Sequence, residues 1–239
     1  MEIAVPSKNR AGNTTTQDIL QDSNFYVPES QVKQYKQAGI KNVLGVPKNV
    51  IGITNTRNWI LKNSEETRLV FVDDDVKKCG YRKIFSEKTE RIEKRQQGFW
   101  LQEFQKLFDL TEQLQYKIFG LRTEGSLKGC FPYKPILLRS YITASCMGII
   151  NDGEFYFDPE FSVKEDYELC LRHIEKKGGI LAARYLSWEN EHWETEGGCS
   201  DYRTINMERK AIKKLIRKYP GRVKEVTRKN SVFTIKLNV

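Results

Sequence analysis

The run Arg68-Leu69-Val70-Phe71-Val72-Asp73-Asp74-Asp75 constrains the fold more than any other stretch of the chain. A short apolar strand delivers three consecutive carboxylates at its end. Carboxylates gathered in one place repel one another and lose hydration, so the cluster is costly unless a cation sits in it. Mg²⁺ and Mn²⁺ prefer oxygen ligands and bridge to phosphate, and strand ends of an open α/β sheet are where ligands bind. The run therefore reads as a metal–diphosphate site. The competing reading is a solvated acidic turn, because Asp is common in turns.

The residues before this strand set its context. Glu2 to Pro6, Asn24 to Val27 and Lys41 to Val46 read as strands. Thr14 to Leu20, Gln31 to Gln37 and Thr54 to Asn63 read as helices between them. Four strands alternating with helices argue for a parallel, doubly wound sheet. Further on, the spacing of Phe104, Leu107, Phe108, Leu114 and Ile118 predicts one long helix from Gly98 to Phe119. Cys79 to Phe85, Ile136 to Thr143 and Phe155 to Phe157 are expected as strands, and Gly148-Ile149-Ile150 approaches a turn at Asn151-Asp152-Gly153. Lys164 to Lys177 reads as a helix stopped by Gly178-Gly179, and Ile180 to Leu186 as a strand. Asp201 to Tyr219 reads as a basic amphipathic helix, and a last strand pair flanks Arg228-Lys229-Asn230. The chain shows no internal repeat and no low-complexity linker.

Composition narrows the class. With 39% hydrophobic and 11% aromatic residues among 239, the chain can build a core. No apolar stretch approaches the roughly 20 residues that span a bilayer, and Met1 to Pro6 has neither the basic nor the long apolar part of a signal peptide. Cys79, Cys130, Cys146, Cys170 and Cys199 form no CxxC pair, so a cytoplasmic protein with reduced thiols is expected. The formal net charge is +9, and Asp201 to Val239 alone hold 12 Lys/Arg against 3 Asp/Glu, so the whole excess lies there. Arg209, Lys210, Lys213, Lys214, Arg217 and Lys218 form the outer face of the C-terminal helix. A one-sided basic patch fits a polyanion, with nucleic acid foremost; the alternative is an ordinary solvated helix face.

Besides the Asp triplet, four places carry candidate chemistry. The loop Pro6-Ser7-Lys8-Asn9-Arg10 offers a hydroxyl, an amide and a guanidinium to a nucleotide. Thr54-Asn55-Thr56-Arg57-Asn58 opens a helix, where Arg57 can reach a diphosphate. Glu165-Asp166 also opens a helix, where the dipole favours carboxylate and Asp166 can take a proton from an acceptor hydroxyl. His192 lies in a polar, aromatic and Gly-rich stretch, Trp188 to Gly198, and can complete a metal site. His173 shares the face of Asp166 but, seven residues on at 1.5 Å each, stands ~10 Å away and reads as a bystander.

In this order the motifs resemble the GT-A glycosyltransferases, which use nucleotide-sugar donors. Asp73 to Asp75 stand where that superfamily has its DXD motif, Glu165-Asp166 where inverting members have an ED motif, and His192 where some members have a late metal-binding His. Within the superfamily, Ala4-Val5-Pro6-Ser7-Lys8-Asn9-Arg10 and Val70 to Asp75 resemble the phage TET-associated glycosyltransferases, which are thought to glycosylate oxidised pyrimidines such as 5-hydroxymethylcytosine in DNA.

The resemblance implies a GT-A-like, mixed and mostly parallel sheet flanked by helices in a single domain. Residues 1–78 would be its nucleotide-sugar half, 79–200 its acceptor and catalytic half, and 201–239 a basic C-terminal helix with strands. It also implies a UDP-sugar donor held by Pro6, Ser7, Arg10, Glu29, Arg57, Asp73 and Asp74. Glu29 follows strand two, where the family usually has Asp. Mn²⁺ or Mg²⁺ would sit on Asp73, Asp75 and His192; Asp166 would be the base with Glu165 beside it; hydroxymethylated DNA would be the acceptor, in the cytoplasm of an infected host. Rival readings are the same chemistry on a glycan or protein, a metal-dependent nuclease or nucleotidyltransferase, and a non-catalytic DNA-binding protein.

Overall fold

A computed structural model describes residues 1–82, 89–92, 97–122, 134–190, 204–228 and 231–237. In chain order the elements are β1 (Glu2–Pro6), β2 (Asn24–Pro28), α1 (Val32–Gln37), β3 (Val43–Val46), α2 (Ile53–Asn63), β4 (Arg68–Val72), β5 (Val76–Arg82), β6 (Thr89–Ile92), α3 (Gln97–Gln113), β7 (Ile118–Arg122), β8 (Ile136–Leu137), β9 (Cys146–Ile150), α4 (Glu165–Lys177), β10 (Leu181–Asn190), α5 (Ile205–Lys218), β11 (Val223–Arg228) and β12 (Ser231–Leu237).

β4 is apolar from Leu69 to Val72 because both of its faces are covered there, as in the parallel sheets of α/β proteins. Val70 and Val72 pack with Val5, Val27, Trp100, Phe104 and Phe108 on the α3 side. Leu69 and Phe71 pack with Ile60 and Leu61 of α2 and Leu169, Cys170 and Ile174 of α4 on the other. Ten strands form one sheet in the order β3-β2-β1-β4-β9-β7-β10-β5-β6, with β8 on β10. β1 to β4 are mutually parallel; β9 runs antiparallel between β4 and β7; β10 is parallel to β7. The mixed, mostly parallel sheet expected from the sequence is present. No helix among the described residues is long and apolar enough to cross a membrane.

Four local expectations are corrected. The helix expected to run to Phe119 ends at Gln113, Gln115 takes a left-handed φ of 57°, and Ile118 to Arg122 form β7. Ile118 and Phe119 mimic a helical period, but they fill the two opposite core layers of the sheet, as alternate residues of a strand do. The segment Thr14 to Leu20 makes only a 3₁₀ turn, Thr16–Asp18, because its polar groups are spent on the end of β4. The strand expected over Phe155 to Phe157 is a loop: the Asn58 side chain pairs with both backbone groups of Phe157, at 2.8 Å each, while Phe155 and Phe157 fill the α4-side core. The strand expected over Ile136 to Thr143 shrinks to β8.

The C-terminal elements form a third cluster. Ala211, Ile212 and Leu215 of α5, with Tyr219 and Val223, bury against Phe161, Val163 and Leu171 around α4. Thr204 caps α5, its hydroxyl accepting from the Met207 amide at 3.2 Å. β11 and β12 close an antiparallel pair.

Candidate active site

The Asp triplet is held from behind by its backbone. Thr15 and Thr16 amides donate to the Asp74 carbonyl at 3.0 and 3.4 Å, and the Asp73 amide donates to Ser145 carbonyl at 3.1 Å. The Thr16 hydroxyl donates to the Asp73 carbonyl at 2.6 Å. These bonds fix a turn whose three carboxylates point to different partners.

Asp74 turns inward. It accepts from the Ser7 hydroxyl and from Arg10 Nη1, the latter at 2.6 Å. The same Nη1 reaches Asp75 at 2.9 Å. Tyr35 completes this group: its hydroxyl lies 2.7 Å from Ser7 Oγ and accepts the Arg10 amide at 3.0 Å. The loop after β1 thus joins the triplet as the sequence suggests, through Ser7 and Arg10. Pro6 ends β1, and the following amide, of Ser7, donates to the Tyr26 carbonyl at 2.9 Å. Glu29 is exposed just after β2.

Asp73 faces the other way. Its carboxylate meets Arg57 Nη2 at 3.5 Å and accepts from Asn190 Nδ2 at 2.9 Å. Loss of water raises its pKa, to about 7; Asp75, Asp74 and Asp166 push the same way, and Arg57 opposes. The side chain keeps 35% of its surface open, so solvent moderates that push.

Arg57 links this cluster to α4. Nη1 donates to Glu165 at 2.7 Å and Nη2 to the Ala144 carbonyl at 3.4 Å, and the guanidinium lies 5.5 Å from the centroid of the Phe157 ring. It is buried rather than extended into solvent. Asp166, beside Glu165, accepts from the Ala144 amide at 3.4 Å and from the Tyr167 amide at 2.9 Å. The residue before them, Lys164, has a left-handed φ of 62° that starts α4 sharply and presents this pair at its first turn.

The site therefore gathers Asp73, Asp74, Asp75, Glu165 and Asp166 around the guanidiniums of Arg10 and Arg57. The excess of negative charge suits a divalent cation. Among the described residues no group of three or more His, Cys, Asp or Glu side chains is disposed to hold a metal by itself. Two buried oxygens, Asp75 Oδ1 and Asn190 Oδ1, have no hydrogen-bond partner among those residues, and unused oxygen acceptors are what a hard cation takes. His192 lies outside the described residues. Asn190 was not singled out by the sequence; its one signal was its position two residues before His192.

His173 is structural. Its Nε2 accepts the Lys117 amide at 3.0 Å, so Nδ1 carries the proton and donates to the Gly179 carbonyl at 2.8 Å. Burial lowers its pKa to about 4. On α5, Arg209, Lys210, Lys213 and Arg217 are exposed. Lys214 pairs with Glu160 at 2.5 Å, and Lys218 with Asp158 and Glu168 at 2.7 and 2.8 Å. Lys214 and Lys218 are thus engaged by the domain's own acids. Cys79, Cys146 and Cys170 are free thiols.

The family model of the TET-Associated Glycosyltransferases matches residues 1–198. No curated protein sequence matches the chain. Among solved structures, the fold is similar to glucosyl-3-phosphoglycerate synthase from Mycobacterium tuberculosis in complex with Mg²⁺ and uridine diphosphate. That match has a TM-score of 0.55 and 11% identity over 99% of this chain and 86% of that one. The same enzyme with phosphoglyceric acid gives a TM-score of 0.56 and 12% identity over 90% and 78%. S. aureus TarS 1–349 in complex with UDP-GlcNAc gives 0.52 and 11% identity over 90% of this chain and 67% of that one, so the chain spans about two thirds of that fragment. The shared feature is the GT-A fold.

Proposed function

Since this chain belongs to the TET-associated glycosyltransferase family, matched over residues 1–198, and is a glycosyltransferase, we propose that it moves a sugar from a UDP-sugar to the hydroxyl of 5-hydroxymethylcytosine in DNA. One observation carries the reading. Arg57 bonds both Asp73, at the DXD position and 16 residues on, and Glu165, the neighbour of the candidate base and 108 residues on. Carboxylates suited to a donor's cation and a carboxylate suited to an acceptor's proton therefore share one site.

Each residue has a role in this reading. Asp73 and Asp75, with His192, would hold Mn²⁺ or Mg²⁺, and Asn190 orients Asp73. When bound, the cation neutralises charge that develops on the departing diphosphate. Ser7 and Arg10 keep Asp74 and Asp75 in register for the nucleotide, whose base lies towards Pro6 and Glu29. Arg57 keeps Asp73 and Glu165 in place and adds positive charge to the diphosphate side.

Asp166 accepts the proton of the acceptor hydroxyl as its oxygen forms a bond to the anomeric carbon. The bond from that carbon to the diphosphate oxygen breaks, and its electron pair leaves with UDP. A single displacement inverts the anomeric centre. The exposed Arg209, Lys210, Lys213 and Arg217 would meet DNA phosphates, which contribute affinity without reading sequence.

The test is mass spectrometry of nucleosides after incubation with Mn²⁺, pooled nucleotide sugars and duplex DNA carrying 5-hydroxymethylcytosine or plain cytosine. A sugar-sized gain confined to the hydroxymethylated DNA is expected. No gain on DNA, with transfer to an oligosaccharide, would replace the acceptor; nicking in Mg²⁺ without nucleotide sugar would replace the reaction.

A further inference from the structure

Asn190 ends β10 with its side chain against the Asp triplet. The ladder between β10 and β5 slips at this point. Glu189 pairs with Lys78, but Asn190 pairs with Val76, one residue nearer to Asp75 than a regular ladder would bring it. Bulges re-aim side chains in this way beside active sites. Asn190 is 7% exposed, and its Nδ2 donates to Asp73 Oδ2 at 2.9 Å. An ionised carboxylate only accepts, so the NH₂ of the amide must face Asp73 and the other branch must be its oxygen. That oxygen has no hydrogen-bond partner among the described residues, and neither has Oδ1 of Asp75, a residue 8% exposed. Oδ2 of Asp75 is already taken by Arg10 at 2.9 Å.

We propose that Asn190 is itself a ligand of the divalent cation, through Oδ1, and not only the support of Asp73. This rests on the metal reading above and deepens it by naming a further ligand. A buried acceptor is costly to leave bare, and both bare oxygens belong to residues that interact with Asp73. One hard cation satisfies several oxygens at once, carboxylate and amide alike, whereas a hydroxyl donates a single proton and relieves one. Among the described residues no group of three or more His, Cys, Asp or Glu is placed to hold a metal. A neutral amide oxygen adds a donor atom without adding to the repulsion among Asp73, Asp74 and Asp75.

The test uses full-length protein with UDP and Mn²⁺, the free ion being counted by its EPR signal. It needs neither sugar nor DNA, so an acceptor other than DNA leaves the result unaffected. Wild type should take up the ion. Asn190→Ala should weaken that uptake by at least about 10- to 100-fold, the loss caused by removing even an outer partner of a metal ligand. Asn190→Cys separates ligation from support. A thiolate is a poor ligand for Mn²⁺ and a good one for the softer Cd²⁺, and the thiol proton leaves to solvent as the S–Cd bond forms. This variant should lose Mn²⁺ and gain Cd²⁺ with a thiolate-to-Cd²⁺ charge-transfer band. Wild type and Asn190→Ala, which carry the same native thiols, should lack that band. In wild type with asparagine labelled with ¹³C at the side-chain carbonyl, bound Mn²⁺ should show the ¹³C coupling of a ligated amide by ENDOR, a reading that needs no variant. Unchanged Mn²⁺ affinity in Asn190→Ala, no new band in folded Asn190→Cys, or no ¹³C coupling in wild type would overturn the ligand assignment and leave the metal reading standing. Wild type that takes up no Mn²⁺ with UDP would overturn both.

Discussion

Replacing Arg57 by Met tests the internal logic of the site most directly. The guanidinium is 4% exposed and serves Glu165 at 2.7 Å, Asp73 at 3.5 Å and the Ala144 carbonyl at 3.4 Å. Met keeps much of the apolar stem and removes the charge. Glu165 is then left buried with its main cationic partner gone, which costs about 3–5 kcal/mol for a broken buried pair. Stability of a domain is typically only ~5–15 kcal/mol, so a urea midpoint lower by about 1–2 M is expected for a slope near 2–3 kcal/mol per M. Trp100 and Trp188, packed edge to face at 4.8 Å in the core, provide the fluorescence signal. The double variant Arg57→Met, Glu165→Gln should recover much of the loss, because the buried carboxylate charge that faced Arg57 is gone. A single-variant cost under about 1 kcal/mol, or losses that simply add in the double variant, would refute the claim that this pair holds the two halves of the site together.

Four further outcomes are expected. Asp166→Asn should bind UDP normally and lose about 10²–10⁴-fold in turnover, read by calorimetry and initial rates; weakened UDP binding with intact turnover would contradict the base assignment. Neutralising Lys210, Lys213 and Arg217 should reduce the slope of log K against log salt for DNA by up to about 3, at ~0.9 for each phosphate no longer neutralised, whereas the ion-paired Lys214 and Lys218 should matter less. His173 has its pKa lowered to about 4 by burial, so the unfolded chain binds the extra proton first. Its contribution is present above about 6.5 and is lost as pH falls towards 4, amounting to about 2 kcal/mol between pH 7 and 5; urea midpoints of wild type and His173→Gln at both pH values check this. Gly148→Ala should destabilise by at least ~1–3 kcal/mol, because its Cβ would stand 2.1 Å from the Phe119 ring; an unchanged melting temperature would show that the ring can move.

The sequence by itself determined the elements whose burial pattern is local. β4 reads as a buried strand because Leu69 to Val72 are apolar on both faces, and its three Asp residues announce a charged strand end wherever the strand goes. The Lys/Arg excess after residue 200 was equally legible, since exposed charge needs no partner to be seen. Only the tertiary structure decided which way each carboxylate turns. Asp74 faces Ser7 and Arg10 while Asp73 faces Arg57 and Asn190, and those partners come from separate segments of the chain. It also decided that Ile118 and Phe119 leave the helical period for a strand, because Gly120 and Gly148 leave room for the side chains of Ile142 and Phe119 that a Cβ would occupy. Periodicity reports which side of an element is buried. It carries no information about which distant residue lies there, and in this site that distant residue sets the charge, the hydrogen bonds and hence the chemistry.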